Sequence, residues 1–338
     1  MTKKLSIIIP AYKVDGYIEK CIRSLENQDM PKEVYEIIVT NDGSPDRCRE
    51  IVESLQQEFS NIILINQENQ GVSMARNNAI AIAQGEYILP IDPDDYVVSN
   101  VLEGVYQNAV TRDLDVLYLP YEIFDRNGQA VWETNYQDKK DQVFDGVEGY
   151  FEPRHIATKD PDRSWAMLYR LNMIQKYDIT YPKNVPILED GLFLGKVFAV
   201  ANRVGFSSTK FYQRTTRMGS ATNSSLFYSE KALQGFITAV KNLKLFANQN
   251  ELKQKQIFLI NHVVAKFVIL SLSPSIATFN FLNYFQTIKV LKNEKLEKLD
   301  TNGLRFSYGN NIKVYNFSKM LFLIYFRIIN LSIFLKFK

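Results

Sequence analysis

Three carboxylates fall within four positions of the segment Tyr87–Val97, which reads YILPIDPDDYV: Asp92, Asp94 and Asp95. Side chains alternate along an extended backbone, so Asp92 and Asp94 project to the same side. No Lys or Arg lies between them, and the charges repel one another. A hard divalent cation, Mn²⁺ or Mg²⁺, relieves that repulsion. It takes oxygen ligands and shares the rest of its shell with substrate phosphates. The other reading of such a cluster is an acidic turn, with Asp95 placed to cap the helix that follows. A second acidic pair, Glu189-Asp190, precedes Phe193, Val197 and Phe198. That is a helix start, where the macrodipole favours carboxylates.

The elements that must position these groups alternate. Leu5–Ile9 (LSIII) is a nearly all-apolar run, as in a parallel strand covered on both faces, and Pro10 is expected to end it. Ile18, Cys21, Ile22 and Leu25 then recur at helical spacing. Strands are expected at Tyr35–Thr40, Ile62–Ile65 and Tyr87–Ile91, with helices from about Asp46 and from Gly71, the latter capped by Gly85. This rhythm predicts an α/β fold with a doubly wound, mainly parallel, Rossmann-like sheet and right-handed crossovers. Ligands of such sheets bind outside the carboxyl ends of the strands, where strand order reverses. Tyr12, Asp42 and the Asp92–Asp95 cluster stand at those ends. No GxGxxG and no GxxxxGK[ST] occurs, which removes the dinucleotide and P-loop classes.

Further on, Leu114–Tyr121 reads as one strand, Ala130–Asn135 as half of a hairpin, and Trp165–Ile174 as a helix. Lys210–Gln213 reads as the last strand, Arg214–Ser225 as a polar loop, and the chain beyond Leu226 as helical. The expected domains are therefore 1–225, catalytic, and 226–338, a helical C-terminal extension.

The 338 residues suffice for a full core, and 46% hydrophobic with 23% charged residues is an ordinary globular balance. Two cysteines without a pairing pattern suit a reducing, cytoplasmic setting, and two His are too few for a zinc cluster. The net charge of +3 is uneven: from Thr301 onward there are six Lys or Arg and no Asp or Glu. The rest of the chain is net acidic, which argues against a nucleic-acid-binding face. In Tyr315–Lys338 the polar residues Asn316, Lys319, Arg327 and Asn330 form one narrow helical stripe in an otherwise apolar run. Arg327 and Asn330 argue against a span of about 20 apolar residues. A basic amphipathic helix on an anionic membrane surface is one reading; a helix docked on the protein's own core, or on a second copy, is the other.

The stretches SIIIPAYKVDGYIEKCIRSLENQ, VTNDGSPD, QGVSMARNNAI, YILPIDPDDYV and LEDGLF, in that order over residues 1–198, resemble the family-2 glycosyltransferases of GT-A fold. The resemblance implies an inverting, metal-dependent transfer from a nucleotide-sugar, a UDP-sugar, to a glycan or lipid-linked glycan of the cell surface. It implies that Pro10, Tyr12 and Asp42 meet the nucleoside, with Tyr12 on the base. Asn41 departs from the Asp-Asp pair common in the family. Arg76 clamps the diphosphate or holds the acidic cluster. Asp94 is the metal ligand, with Asp92 on metal or ribose. Asp190 is the general base, and Glu189 orients the acceptor. Arg214, Arg217 and Ser220, in a looser match, meet phosphates from a closing loop. Two other readings are a sugar-phosphate nucleotidyltransferase, whose Gly-rich phosphate loop is absent from IIIPAYKVDG, and a non-catalytic scaffold.

Overall fold

The computed structural model describes residues 2–154, 162–216, 227, 229–305 and 307–330. Two compact units are formed, one from Met1–Lys183 with Val200–Met218, the other from Asn184–Ala199 with Gly219–Lys338.

In the first unit, β1 (Leu5–Ala11), α1 (Ile18–Glu26), β2 (Tyr35–Asp42), α2 (Cys48–Glu58), β3 (Ile62–Gln67), α3 (Val72–Ile82) and β4 (Tyr87–Pro90) alternate as their apolar runs predict. The four strands are parallel, in the order β3-β2-β1-β4. Leu5, Ile7 and Ile9 share one core with Ile37, Val39, Tyr87 and Leu89 and with the apolar faces of α1 and α2. Ile8, Ile38 and Ile88, of opposite parity, are equally buried, and α3 packs against β1 and β2. Burial on both faces explains runs without alternation.

Two details differ from expectation. Pro10 lies inside β1. The pairing with β4 stops at Ile8↔Pro90, whereas β2 follows β1 to Ala11. Beyond Ile8 one side of the strand has no ladder partner, so a residue lacking an N–H is tolerated. Gly85 does not cap α3, whose C-cap is Ala83. It is needed for close approach, because a Cβ there would stand 2.4 Å from the Ser6 backbone nitrogen.

The unit continues with β5 (Tyr96–Val97), α4 (Leu102–Thr111), β6 (Val116–Tyr118), β7 (Tyr121–Phe124), β8 (Ala130–Glu133), β9 (Val143–Phe144), α5 (Gly146–Phe151), β10 (Met167–Arg170) and α6 (Leu171–Lys176). After α7 (Glu189–Val200) come β11 (Val204–Phe206) and β12 (Tyr212–Thr215). The large sheet runs β3-β2-β1-β4-β10-β6-β11-β9 and a small one runs β5-β12-β7-β8. The expected strand Leu114–Tyr121 is thus two strands in two sheets, split before Tyr121 at Pro120. The expected helix Trp165–Ile174 is instead β10 followed by the short α6. Met167, Leu168 and Tyr169 are buried between β4 and β6, antiparallel to both. An apolar run that short suits either state, and closing the sheet decided it.

In the second unit, α8 (Glu230–Gln249), α9 (Gln254–Ala277), α10 (Phe281–Asn293), α11 (Tyr308–Phe317) and α12 (Lys319–Ile329) follow one another. α8, α10, α11 and α12 all pack on α9. α9 is long and apolar enough to cross a membrane, yet 61% of its apolar window is buried among its neighbours, as in a bundle's central helix. The tail is not one helix. Ser318, extended at φ −154°, ends α11 and caps α12 by accepting from Leu321 N; residues 331–338 lie outside the described residues.

Candidate active site

β4 leaves the large sheet at Pro90 and β5 enters the small sheet at Tyr96. Asp92, Asp94 and Asp95 therefore lie on the loop that passes between the two sheets. β12 fastens that loop. Tyr212 Oη accepts from Asp92 N at 3.2 Å and donates to Asp95 Oδ2 at 2.6 Å. Thr215 N donates to Asp95 Oδ1 at 2.7 Å, and Thr215 Oγ1 donates to the carbonyl of Asp94. Asp95 is thus not a helix cap; it is a buried tether.

One carboxylate oxygen from each of Asp92, Asp94 and Asp95 lies within 4.8 Å of the others. Burial, then the charges of Asp92 and Asp94, push the Asp95 carboxyl well above its usual 3.8. Burial first, then the same three acids, push up the Cys21 thiol beneath the loop, whose Sγ lies 3.8 Å from the Asp92 carbonyl oxygen. A set of hard oxygen donors gathered this closely fits Mn²⁺ or Mg²⁺. Asp92 and Asp94, both partly exposed, could hold such an ion, and Asp95 holds the loop behind them.

The raised Asp95 pKa has a consequence for stability. The folded state keeps a proton that the unfolded state releases near pH 3.8. Without divalent cations, stability is therefore expected to fall as pH rises from that value through the raised pKa. Asp95→Asn keeps an acceptor for Thr215 N, places an amide N–H where Asp95 accepts from Tyr212 Oη, and removes the titrating group, so its melting temperature in EDTA should fall less over that range. Equal slopes for wild type and variant would contradict this origin of the shift.

Arg76 stands on α3, 4% exposed, and its Nη2 donates to Asp92 Oδ1 at 2.8 Å. The Tyr181 ring centroid lies 5.1 Å from its guanidinium carbon. Of the two roles open to Arg76, holding the acidic cluster is the one the geometry displays. Asp42 ends β2 and is buried. Its Oδ1 accepts from Gln67 Nε2 and Gln70 N, both at 2.7 Å, and its Oδ2 from Gly71 N at 2.8 Å. The carboxylate ties the strand end to the start of α3, leaving acceptor capacity on Oδ2. Asn41, beside it, donates from Nδ2 to Asn66 Oδ1 and accepts from Ser44 N. Gly43 serves both turn and approach: its φ is +62°, and a Cβ would meet Asn69 N at 2.9 Å. Tyr12, directly after β1, is 41% exposed, with Lys13 Nζ 5.3 Å from its ring centroid. Strand order reverses between β1 and β4, so Pro10, Tyr12 and Asp92 flank the crevice where such sheets take ligands.

Arg214 lies in β12, not in a loop, with its guanidinium carbon 5.9 Å from the Trp165 ring. Arg217 and Ser220 lie outside the described residues. Glu189 and Asp190 open α7 in the second unit. Leu188 before them adopts φ +60°, a left-handed conformation uncommon for Leu, and its carbonyl accepts from Gly191 N at 3.1 Å. α8 presses on the approach to this turn: a Cβ on Gly235 would meet Pro186 Cδ at 2.7 Å.

Sequence reasoning missed Tyr212, Thr215 and Tyr181. Each is an ordinary residue that acts across a long chain separation. The phenol of Tyr212 stacked on Trp165, with centroids 4.7 Å apart, leaves no local signature.

The profile described as Glycosyl transferase family 2 matches residues 6–177. The chain is 28% identical over 265 residues to a poly(ribitol-phosphate) beta-glucosyltransferase of Bacillus spizizenii, covering 77% of this chain and 40% of that one. It is 29% identical over 227 residues to the poly(ribitol-phosphate) beta-N-acetylglucosaminyltransferase TarS of Staphylococcus aureus, covering 67% and 38%. The chain therefore spans about two fifths of the length of these relatives. The crystal structure of S. aureus TarS 1-349 in complex with UDP-GlcNAc superposes with a TM-score of 0.69 at 21% identity, covering 95% of this chain and 89% of that one. That likeness establishes the mainly parallel GT-A sheet followed by helices. With the match spanning half of the sequence, from β1 through α6, the chain belongs to glycosyl transferase family 2.

Proposed function

We propose that the chain is an inverting glycosyltransferase that moves a sugar from a UDP-sugar to a hydroxyl of a surface glycan or lipid-linked glycan, working at the cytoplasmic face of the membrane. The observation that carries this reading is the oxygen-only cluster of Asp92, Asp94 and Asp95 at the carboxyl end of β4, at a reversal of strand order. A family member solved with UDP-GlcNAc and relatives named for transfer to poly(ribitol-phosphate) support the donor and acceptor classes.

Tyr12 offers an exposed ring to the base, and the Oδ2 of Asp42 offers an acceptor to a base N–H. Asp94, with Asp92, would hold Mn²⁺ or Mg²⁺, which when bound supplies countercharge for a leaving diphosphate. Arg76 keeps Asp92 oriented. Asp190 accepts the proton of the acceptor hydroxyl. The hydroxyl oxygen then bonds to the anomeric carbon as the bond from that carbon to the diphosphate oxygen breaks, and UDP departs with the electron pair. Attack opposite the leaving group inverts the anomeric centre. Glu189, its neighbour at the head of α7, orients the acceptor, and Arg214, with Arg217, meets the phosphates.

The test is to incubate the protein and Mn²⁺ with UDP-glucose, UDP-N-acetylglucosamine or UDP-galactose and a ribitol-phosphate polymer. The expected result is UDP release from one donor and a product of opposite anomeric configuration by NMR. A product that retains the donor's configuration would overturn the inverting mechanism, and no release from any donor would overturn the donor class.

A further inference from the structure

In the second unit, exposed large apolar side chains gather in one stretch of the chain. Among the described residues, ten of the sixteen exposed large hydrophobic side chains lie between Phe279 and Ile329. They include Leu282 and Phe285 on α10, Phe317 at the end of α11, and Leu321, Ile324 and Ile328 on α12. Phe317 is 82% exposed and Leu282 70%.

The polar stripe of the tail is what faces the protein. Arg327 donates from Nη1 to the carbonyls of Ile276 and Ala277 at 2.6 and 3.0 Å, closing the C-terminus of α9. Its guanidinium carbon stands 4.4 Å from the Phe279 ring. Lys319 donates to the carbonyls of Glu297 and Tyr315, and Asn316 exchanges hydrogen bonds with Leu299. Tyr284 Oη donates to the Lys319 carbonyl at 2.7 Å. Bonds at both ends thus set α12 beside the α9–α10 turn and α10, with Phe322, Leu323 and Phe326 buried beneath it. An exposed apolar face of this extent marks an interaction surface.

Charge says which partner. From Phe279 to Asn330 there are eight Lys or Arg against three Asp or Glu. Leu282, Phe285, Lys289 and Lys292 follow one face of α10, and exposed Lys313 lies one turn before Phe317 on α11. Of the acids, Glu294 pairs with Lys241 and Asp300 accepts from Asn261, while Glu297 is exposed beside Lys298. Lys is depleted at protein–protein interfaces, whereas Leu, Ile and Phe bordered by Lys are the composition of a helix lying in a lipid headgroup layer. We infer that the exposed faces of α10 and α12, both packed on α9, seat the protein on an anionic bilayer, with Leu282, Phe285, Phe317, Ile324 and Ile328 entering the acyl boundary.

Sedimentation of the full chain with vesicles tests this without donor or acceptor, so its outcome is separate from that of the catalytic reading. Vesicles of phosphatidylcholine and of its equimolar mixture with phosphatidylglycerol serve as probes. Wild type should sediment with the mixed vesicles and far less with phosphatidylcholine. Neutralising Lys289 and Lys292 to Gln should weaken partitioning by about 5-fold for each lysine. Leu282→Gln with Ile324→Gln, both on exposed side chains, should abolish it with an unchanged circular dichroism spectrum. Wild type remaining in solution with both vesicles would overturn the proposal. So would unaltered sedimentation of the Leu282→Gln, Ile324→Gln variant. A concentration-dependent dimer, dissolved by the same two substitutions and indifferent to vesicles, would assign the surface to a second copy instead.

Discussion

Replacing Asp190 by Asn is expected to lower turnover by roughly 10²–10⁴-fold while UDP binding stays within error of wild type. The side chain keeps its size and still accepts a hydrogen bond, so what disappears is the ability to take a proton. The helix should remain in place, because α7 is also held by contacts away from this carboxylate. The left-handed Leu188 and its bond from Gly191 N set its first turn. Gly195 faces Leu243 and Val263 so closely that a Cβ would stand 3.2 to 3.4 Å from them. Single-turnover kinetics with a UDP-sugar and acceptor measure the effect. Turnover equal to wild type would remove Asp190 from the base role, and a loss confined to KM would make it a binding residue.

Arg76→Met is expected to have the largest effect on stability, about 3 kcal/mol, the lower end of the range for leaving a buried partner uncompensated. The lower end applies because the Asp92 side chain keeps 29% of its exposure, whereas Arg76 keeps 4%. Without the guanidinium, Asp92 loses the charged donor at its Oδ1 while Asp94 and Asp95 stay within the same cluster. Mn²⁺ should therefore restore more stability to the variant than it adds to wild type. Arg76→Lys should recover part of the loss, since an ammonium keeps the charge and gives up the planar fork. Urea denaturation in EDTA and in Mn²⁺ reads all three. A variant within about 0.5 kcal/mol of wild type would class the position as ordinary surface and contradict the pairing.

How far the sequence discloses this arrangement depends on the range of the interactions. β1, β2 and β4 are legible as short apolar runs buried on both faces, and the helices between the strands by the helical spacing of their apolar residues. The acidic loop is legible because three carboxylates in four positions need an explanation wherever they fold. The support of that loop is not. Tyr212 and Thr215 reach Asp95 across 117 and 120 positions, and nothing near either residue marks the contact. The short strand β10 was hidden by the same limitation: MLYR followed directly by a helical turn has no period of its own. In the tail, spacing identified the stripe of Asn316, Lys319 and Arg327 but not its direction. Only the carbonyls at the end of α9 and around Glu297 show that the stripe turns inward.

The central claim is that Asp92 and Asp94 make donor binding depend on a divalent cation, and calorimetric titration with UDP tests it most directly. Wild type should bind UDP in Mn²⁺ and lose most of that binding in EDTA, and Asp94→Asn should bind equally poorly in both. UDP affinity that is the same with and without Mn²⁺, or undiminished in Asp94→Asn, would contradict the claim.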